Sequence, residues 1–165
     1  SFSEKKDYNL NSGVKEWHFS NLDNWSDILE TLRPKVDECI DDYLGYSNLL
    51  NKHSFYFSHA SLMHQKEGHN VAFHYDSELE YMNKEEFIRN FAVLVYLNDN
   101  FEHGELVFPL QEKSIVPKAG TVAIFPTSFM YPHVTNPTMG DDRYVVRMSY
   151  FFDKSAIISR NERGD

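Results

Sequence analysis

Ala92-Val93-Leu94-Val95-Tyr96-Leu97-Asn98 reads as a buried strand, because it is short, apolar, rich in β-branched and aromatic side chains, and closed by a polar residue. Working outward, the chain repeats this pattern. Gly104-Glu105-Leu106-Val107-Phe108-Pro109 is a second strand, and Pro117-Lys118-Ala119-Gly120 is a turn feeding a third, Thr121-Val122-Ala123-Ile124-Phe125-Pro126. Arg143-Tyr144-Val145-Val146-Arg147-Met148-Ser149-Tyr150-Phe151-Phe152 is a fourth, and upstream Ser54-Phe55-Tyr56-Phe57-Ser58 is also strand-like. Many short strands punctuated by turn residues predict a mainly β fold, the two-sheet jelly roll or double-stranded β-helix, over about residues 55–153.

Before this core the rhythm changes. Lys15-Glu16-Trp17-His18-Phe19 alternates and predicts an edge strand. Ile28, Leu29, Leu32, Val36, Cys39, Ile40, Tyr43 and Leu44 follow helical spacing until Gly45. Pro34 interrupts that spacing, so one kinked helix or two short ones are expected from Trp25 to Leu44, within a helical part of about residues 20–50. Their apolar stripe is expected on the outside of one sheet. Ser77 to Asn90 carries Glu78, Glu80, Glu85 and Glu86 and reads as a solvated loop, with Asn83 to Ile88 as a candidate helical turn at the rim of a site. The 165 residues are expected to form a single domain, long enough to enclose a cavity within one core.

Composition narrows the setting. The single cysteine, Cys39, excludes an internal disulfide framework and, on a helical apolar stripe, reads as a small buried hydrophobe. Ser1 to Asn11 is polar and shows no signal peptide, and no apolar run has the length of a membrane span, so the expectation is a cytoplasmic protein without a membrane partner. A formal charge of −9 disfavours nucleic acid, whose backbone requires clustered Lys and Arg.

The chemistry-bearing residues are His74-Tyr75-Asp76 and His133. If Phe73 to Asp76 is extended, His74 and Asp76 share a face while Tyr75 points away, so both can reach one ion. With His133 from a distant strand they would make the facial set of two imidazoles and one carboxylate that binds Fe(II) and leaves positions open. Arg143 follows His133 by ten residues (143 − 133) and could grip a carboxylate near the metal through paired hydrogen bonds.

Taken in order, His-x-Asp, Tyr-Leu-Asn, Gly-Glu-Leu-x-Phe-Pro, Pro-Lys-x-Gly, His and Arg-Tyr resemble the 2-oxoglutarate and Fe(II)-dependent oxygenases, most closely the prolyl 4-hydroxylase-like branch, from Phe55 to Phe152. The resemblance implies a cupin-like jelly roll and a dioxygenase that hydroxylates an unactivated C–H bond. It implies Fe(II) on His74, Asp76 and His133, 2-oxoglutarate and O₂ as cosubstrates, and ascorbate as an expected reductant. It also implies that Arg143 clamps the distal carboxylate of 2-oxoglutarate, with the Tyr96 phenol donating to the same group.

Arg147, on the same strand face, is expected to point into the barrel as a second anion contact, for cosubstrate or substrate. It sits fourteen residues past His133 (147 − 133), further than the Arg-x-Ser signature of other branches. Ser149 stands where prolyl hydroxylases of this branch commonly carry tryptophan, which widens the pocket. His53, His59, His64 and His69 show no evident carboxylate partner and read as surface or core residues. A protein or peptide substrate, with proline leading, is the first expectation. A hydroxylase of a small molecule or free amino acid is the alternative, and a non-catalytic metal-binding jelly-roll module is the reading from another class.

Overall fold

A computed structural model describes residues 13–18, 25–45, 53, 55–77, 79–82 and 85–152. Its strands are β1 (Val14–His18), β2 (Phe55–Gln65), β3 (Val71–His74), β4 (Leu79–Met82), β5 (Glu85–Tyr96), β6 (Glu102–His103), β7 (Leu106–Phe108), β8 (Lys113–Ile115), β9 (Val122–Pro126), β10 (His133–Thr135), β11 (Thr138–Met139) and β12 (Arg143–Phe152), with helix α1 (Trp25–Leu44) between β1 and β2. The major sheet runs β1-β2-β12-β5-β4, with β9 also paired to β5, and faces a minor sheet β3-β10-β7-β8. All of these pairs are antiparallel. This is a double-stranded β-helix.

Alternation along the central strands divides the molecule into layers. Val146, Met148 and Tyr150 of β12 join Ala60, Phe91, Val93 and Val95 on the outer face of the major sheet, against Val36, Ile40 and Leu44 of α1. The expected helical cover therefore lies where the apolar stripe required it. Fully burying a side chain such as Ile40 (0 % exposed) contributes about 1.5–3 kcal/mol. The opposite face looks into the barrel, where Tyr96 packs with Ala123 and Val145, and Ala92 packs with Leu106, Phe108 and Phe125.

Of the two helical alternatives the single helix holds, and other expectations are corrected by the packing. α1 is one helix through Pro34, which is exposed along with Glu30, so water can serve the carbonyl that the missing N–H abandons. Cys39 is only half-buried. The segment expected as a loop or helical turn is a hairpin, because β5 extends back to Glu85 and pairs with β4; Glu78, Asn83 and Lys84 lie outside the described residues. So do Phe19, Asn24 and Ser54, and with them the outer parts of the predicted edge strand and helical region. Among the described residues, no helix is long and apolar enough to cross a membrane.

Candidate active site

His74 ends β3 and His133 begins β10, and the two are cross-strand partners with ring centroids 4.4 Å apart. Both histidines thus come from neighbouring strands of the minor sheet, rather than from opposite sheets converging at the mouth. Asp76 lies just past the end of β3, yet its carboxylate turns back to them. Its Oδ1 stands 3.3 Å from His74 Nε2 and its Oδ2 3.8 Å from His133 Nε2. One donor atom from each of the three residues lies within 4.8 Å of the others, and this group could hold a metal ion.

The orientation of each imidazole is fixed from behind. Nδ1 of His74 donates to the Ala72 carbonyl at 2.6 Å and Nδ1 of His133 to the Tyr131 carbonyl at 3.1 Å. Those bonds set the tautomer that leaves Nε2 facing Asp76, the arrangement a ligating imidazole needs. Burial opposes the His74 imidazolium, but hydrogen bonds to Asp76 and the Ala72 carbonyl outweigh it and raise the pKa above its ordinary value. At His133 burial wins and the pKa is lowered. Burial also disfavours the Asp76 anion, yet the His74 hydrogen bond and the charges of Arg147, His133 and Arg89 hold this carboxyl well below the usual range. The pocket therefore keeps an ionised carboxylate between two imidazoles, a gap that a proton or a metal ion satisfies.

The major sheet supplies the opposite wall. Arg143 opens β12, is 4 % exposed, and lines the same cavity as the triad, together with Met63, Leu94, Leu106, Phe125 and Arg147. Its Nη1 donates to the Gly104 carbonyl at 3.1 Å, and its guanidinium lies 5.9 Å from the Tyr96 ring centroid. No carboxylate of the described residues neutralises it. Arg143 Nε and the Tyr96 hydroxyl are both buried without a hydrogen-bond partner. A cation and two buried donors left in this state fit an anionic ligand, because an unserved buried polar group costs about 1–3 kcal/mol. Tyr96 sits beside Arg143 but not on the cavity wall. The donor set and the orphaned donors together fit Fe(II) and a dicarboxylate.

Four further residues, none of them a candidate from the sequence pattern, position these groups. Gly104 supplies the carbonyl for Arg143 from a left-handed conformation, φ +76°, that glycine tolerates. Asn98 spans the start of β12, donating to the Asp142 carbonyl and accepting from Tyr144 N–H, both at 2.8 Å. Both lie in the motifs already singled out, which was the available signal. Arg89, within the segment expected as a loop, is 3 % exposed with Nη1 3.9 Å from Asp76 Oδ1. Glu16 pairs with Arg147 at 2.6 Å from the N-terminal edge strand, a contact no local pattern announces. One histidine is also corrected: His64 does have a carboxylate partner, Asp142 at 2.7 Å, on the outside of the barrel.

A model of the 2OG-Fe(II) oxygenase superfamily matches residues 58–151. The chain belongs to that superfamily and is a 2-oxoglutarate, Fe(II)-dependent oxygenase. No curated protein matches it in sequence. Among solved structures it is similar to the viral collagen prolyl hydroxylase from Paramecium Bursaria Chlorella virus-1, with a TM-score of 0.66 at 19 % identity, over 86 % of this chain and 81 % of that one. A prolyl hydroxylase of Trichoplax adhaerens, in complex with a hypoxia inducible factor peptide fragment, gives 0.63 at 20 % identity over 92 % and 69 %. An oxidoreductase of the 2OG-Fe(II) oxygenase family from Burkholderia pseudomallei gives 0.66 at 15 % identity over 87 % and 70 %.

Proposed function

We propose that this oxygenase hydroxylates an unactivated C–H bond of a prolyl residue in a peptide or protein, with His74, Asp76 and His133 as the ligands of Fe(II). The observation that carries the reading is the buried, carboxylate-free Arg143 facing the triad across one cavity. A metal-bearing module without turnover has no use for such a clamp. The prolyl hydroxylases of similar fold support the choice of residue.

In this reading iron and 2-oxoglutarate, when bound, supply the oxidative decarboxylation that drives hydroxylation. The chain's own groups do the rest. His74, Asp76 and His133 would hold the ion through two imidazoles and one carboxylate, a donor set that suits Fe(II). Arg143 receives the distal carboxylate, and the Tyr96 phenol beside it offers a further donor. Leu94, Leu106 and Phe125 give the cavity apolar wall between its charged groups, and a low-dielectric wall strengthens charge pairing beside it. Ascorbate is the expected reductant, and a reducing cytosol the expected compartment, given one cysteine.

The test is substrate-stimulated succinate release from proline-containing peptides, with a mass gain of one oxygen on the peptide. Stimulation by proline peptides and not by their alanine counterparts supports the reading; no discrimination between them overturns the prolyl assignment. One observation favours hydroxylation of a small molecule or free amino acid instead. Ser149, buried on β12 with an unpartnered hydroxyl, stands where prolyl hydroxylases of this branch commonly carry a bulky aromatic, although it does not line the cavity itself.

A further inference from the structure

Arg147 is a charged group of the cavity wall that is neither a member of the triad nor the clamp. It projects from β12 into the cavity, four residues beyond Arg143 (147 − 143) on the same face. Along β12 that spacing is about 13 Å of strand, and the two guanidinium groups turn to different partners, Arg143 to the Gly104 carbonyl and Arg147 to Glu16. Arg147 lines the cavity together with His74, Asp76 and His133.

Its surroundings are built. Nη2 donates to Glu16 Oε1 at 2.6 Å, and the same oxygen accepts from the Ser61 hydroxyl, so strands β1 and β2 together fix the plane of the guanidinium. Nε is buried without a hydrogen-bond partner. Ser149, the next residue on that face, adds a second buried donor without one. An ion pair that merely joined β1 to β12 would explain Nη2 alone. An apolar pair would hold those strands at least as well, since desolvating two charges offsets most of their attraction.

We propose that Arg147 recognises a carboxylate of the substrate, so that the substrate is an amino acid or peptide with a free carboxylate at or next to the hydroxylated residue. The inference rests on the dioxygenase reading above and narrows its substrate class. Arg143 takes the distal carboxylate of the cosubstrate, and Arg147 remains for the second anion. Because Glu16 already holds the guanidinium, little side-chain freedom is lost on binding.

The experiment uses the full chain loaded with Fe(II) and 2-oxoglutarate, and a panel of N-acetyl amino acids and proline-ended dipeptides, each as the free acid and as the carboxamide. Succinate release is read with and without each compound. The free acids should stimulate with a KM at least about tenfold below their amides, the value of one charge-assisted contact. The preference should collapse towards unity in Arg147→Gln and in the charge-balanced Glu16→Gln/Arg147→Gln pair, which keeps the protein folded if the single change does not.

Equal KM values for acids and amides, or stimulation by neither, overturn the carboxylate assignment while succinate release without substrate leaves the oxygenase reading standing. A loss of 2-oxoglutarate affinity in Arg147→Gln as large as in Arg143→Ala, measured by anaerobic titration, assigns Arg147 to the cosubstrate and also overturns it. Absence of succinate under all conditions, with iron bound, strikes instead at the turnover reading.

Discussion

Arg143 Nη1 and the Gly104 carbonyl meet at 3.1 Å inside the barrel, joining the first residue of β12 to a turn before β7. Gly104 reaches that position with φ +76°, and a Cβ added there would stand 2.8 Å from Thr138 Cγ2. Gly104→Ala is therefore expected to lose about 1–3 kcal/mol of stability and to weaken 2-oxoglutarate binding by displacing the carbonyl that orients Arg143. Thermal unfolding and anaerobic titration check both; unchanged cosubstrate affinity would show that the carbonyl does not orient the clamp.

Arg143→Ala removes a charge-assisted contact to the cosubstrate and should weaken 2-oxoglutarate by roughly 30- to 150-fold, about 2–3 kcal/mol. Tyr96→Phe should cost about 1 kcal/mol or less, since it deletes one neutral donor and keeps the ring beside Arg143. A larger effect at Tyr96 than at Arg143 would reverse their roles.

Asp76→Ala should abolish turnover and metal retention together, because it removes the anion that faces both imidazoles. Asp76→Ala that kept full Fe(II)-dependent activity would remove this residue from the site. Mn(II) binding followed by paramagnetic resonance separates loss of metal from loss of chemistry.

Metal affinity should fall as pH falls. The His74 pKa is raised, so its proton competes with the metal from above the ordinary histidine value, whereas those of His133 and Asp76 are lowered and these groups stay available longer. Only the unprotonated imidazole ligates, so acidification through the raised His74 pKa loses affinity and alkalinisation restores it, with about one proton displaced per ion. Mn(II) titrations across roughly pH 5.5 to 8 test this; affinity independent of pH would contradict it.

Asn98→Ala should loosen the start of β12, since one side chain serves both the Asp142 carbonyl and the Tyr144 N–H. The expected signature is a raised KM for 2-oxoglutarate with a smaller change in kcat, because Asn98 positions Arg143 from outside the cavity. A kcat loss without a KM change would argue against that route.

Local pattern determined much of this protein. Arg143 to Phe152 is a strand over its whole predicted length because alternating β-branched and aromatic residues encode two faces, and helical spacing placed α1 on one of them. His74 and Asp76 were legible as a pair from their spacing, although β3 ends at His74 and Asp76 turns back to it from beyond the strand. Three things were decided only by tertiary structure. Pairing of β3 with β10 set His133 opposite His74, a register that depends on which strands meet, not on either alone. Pairing of β4 with β5 made a hairpin of a charged stretch whose composition favoured a loop. Pairing of β1 with β2 brought Glu16 to Arg147 across 131 residues, because a half-buried guanidinium draws its counter-charge from whatever the fold places beside it.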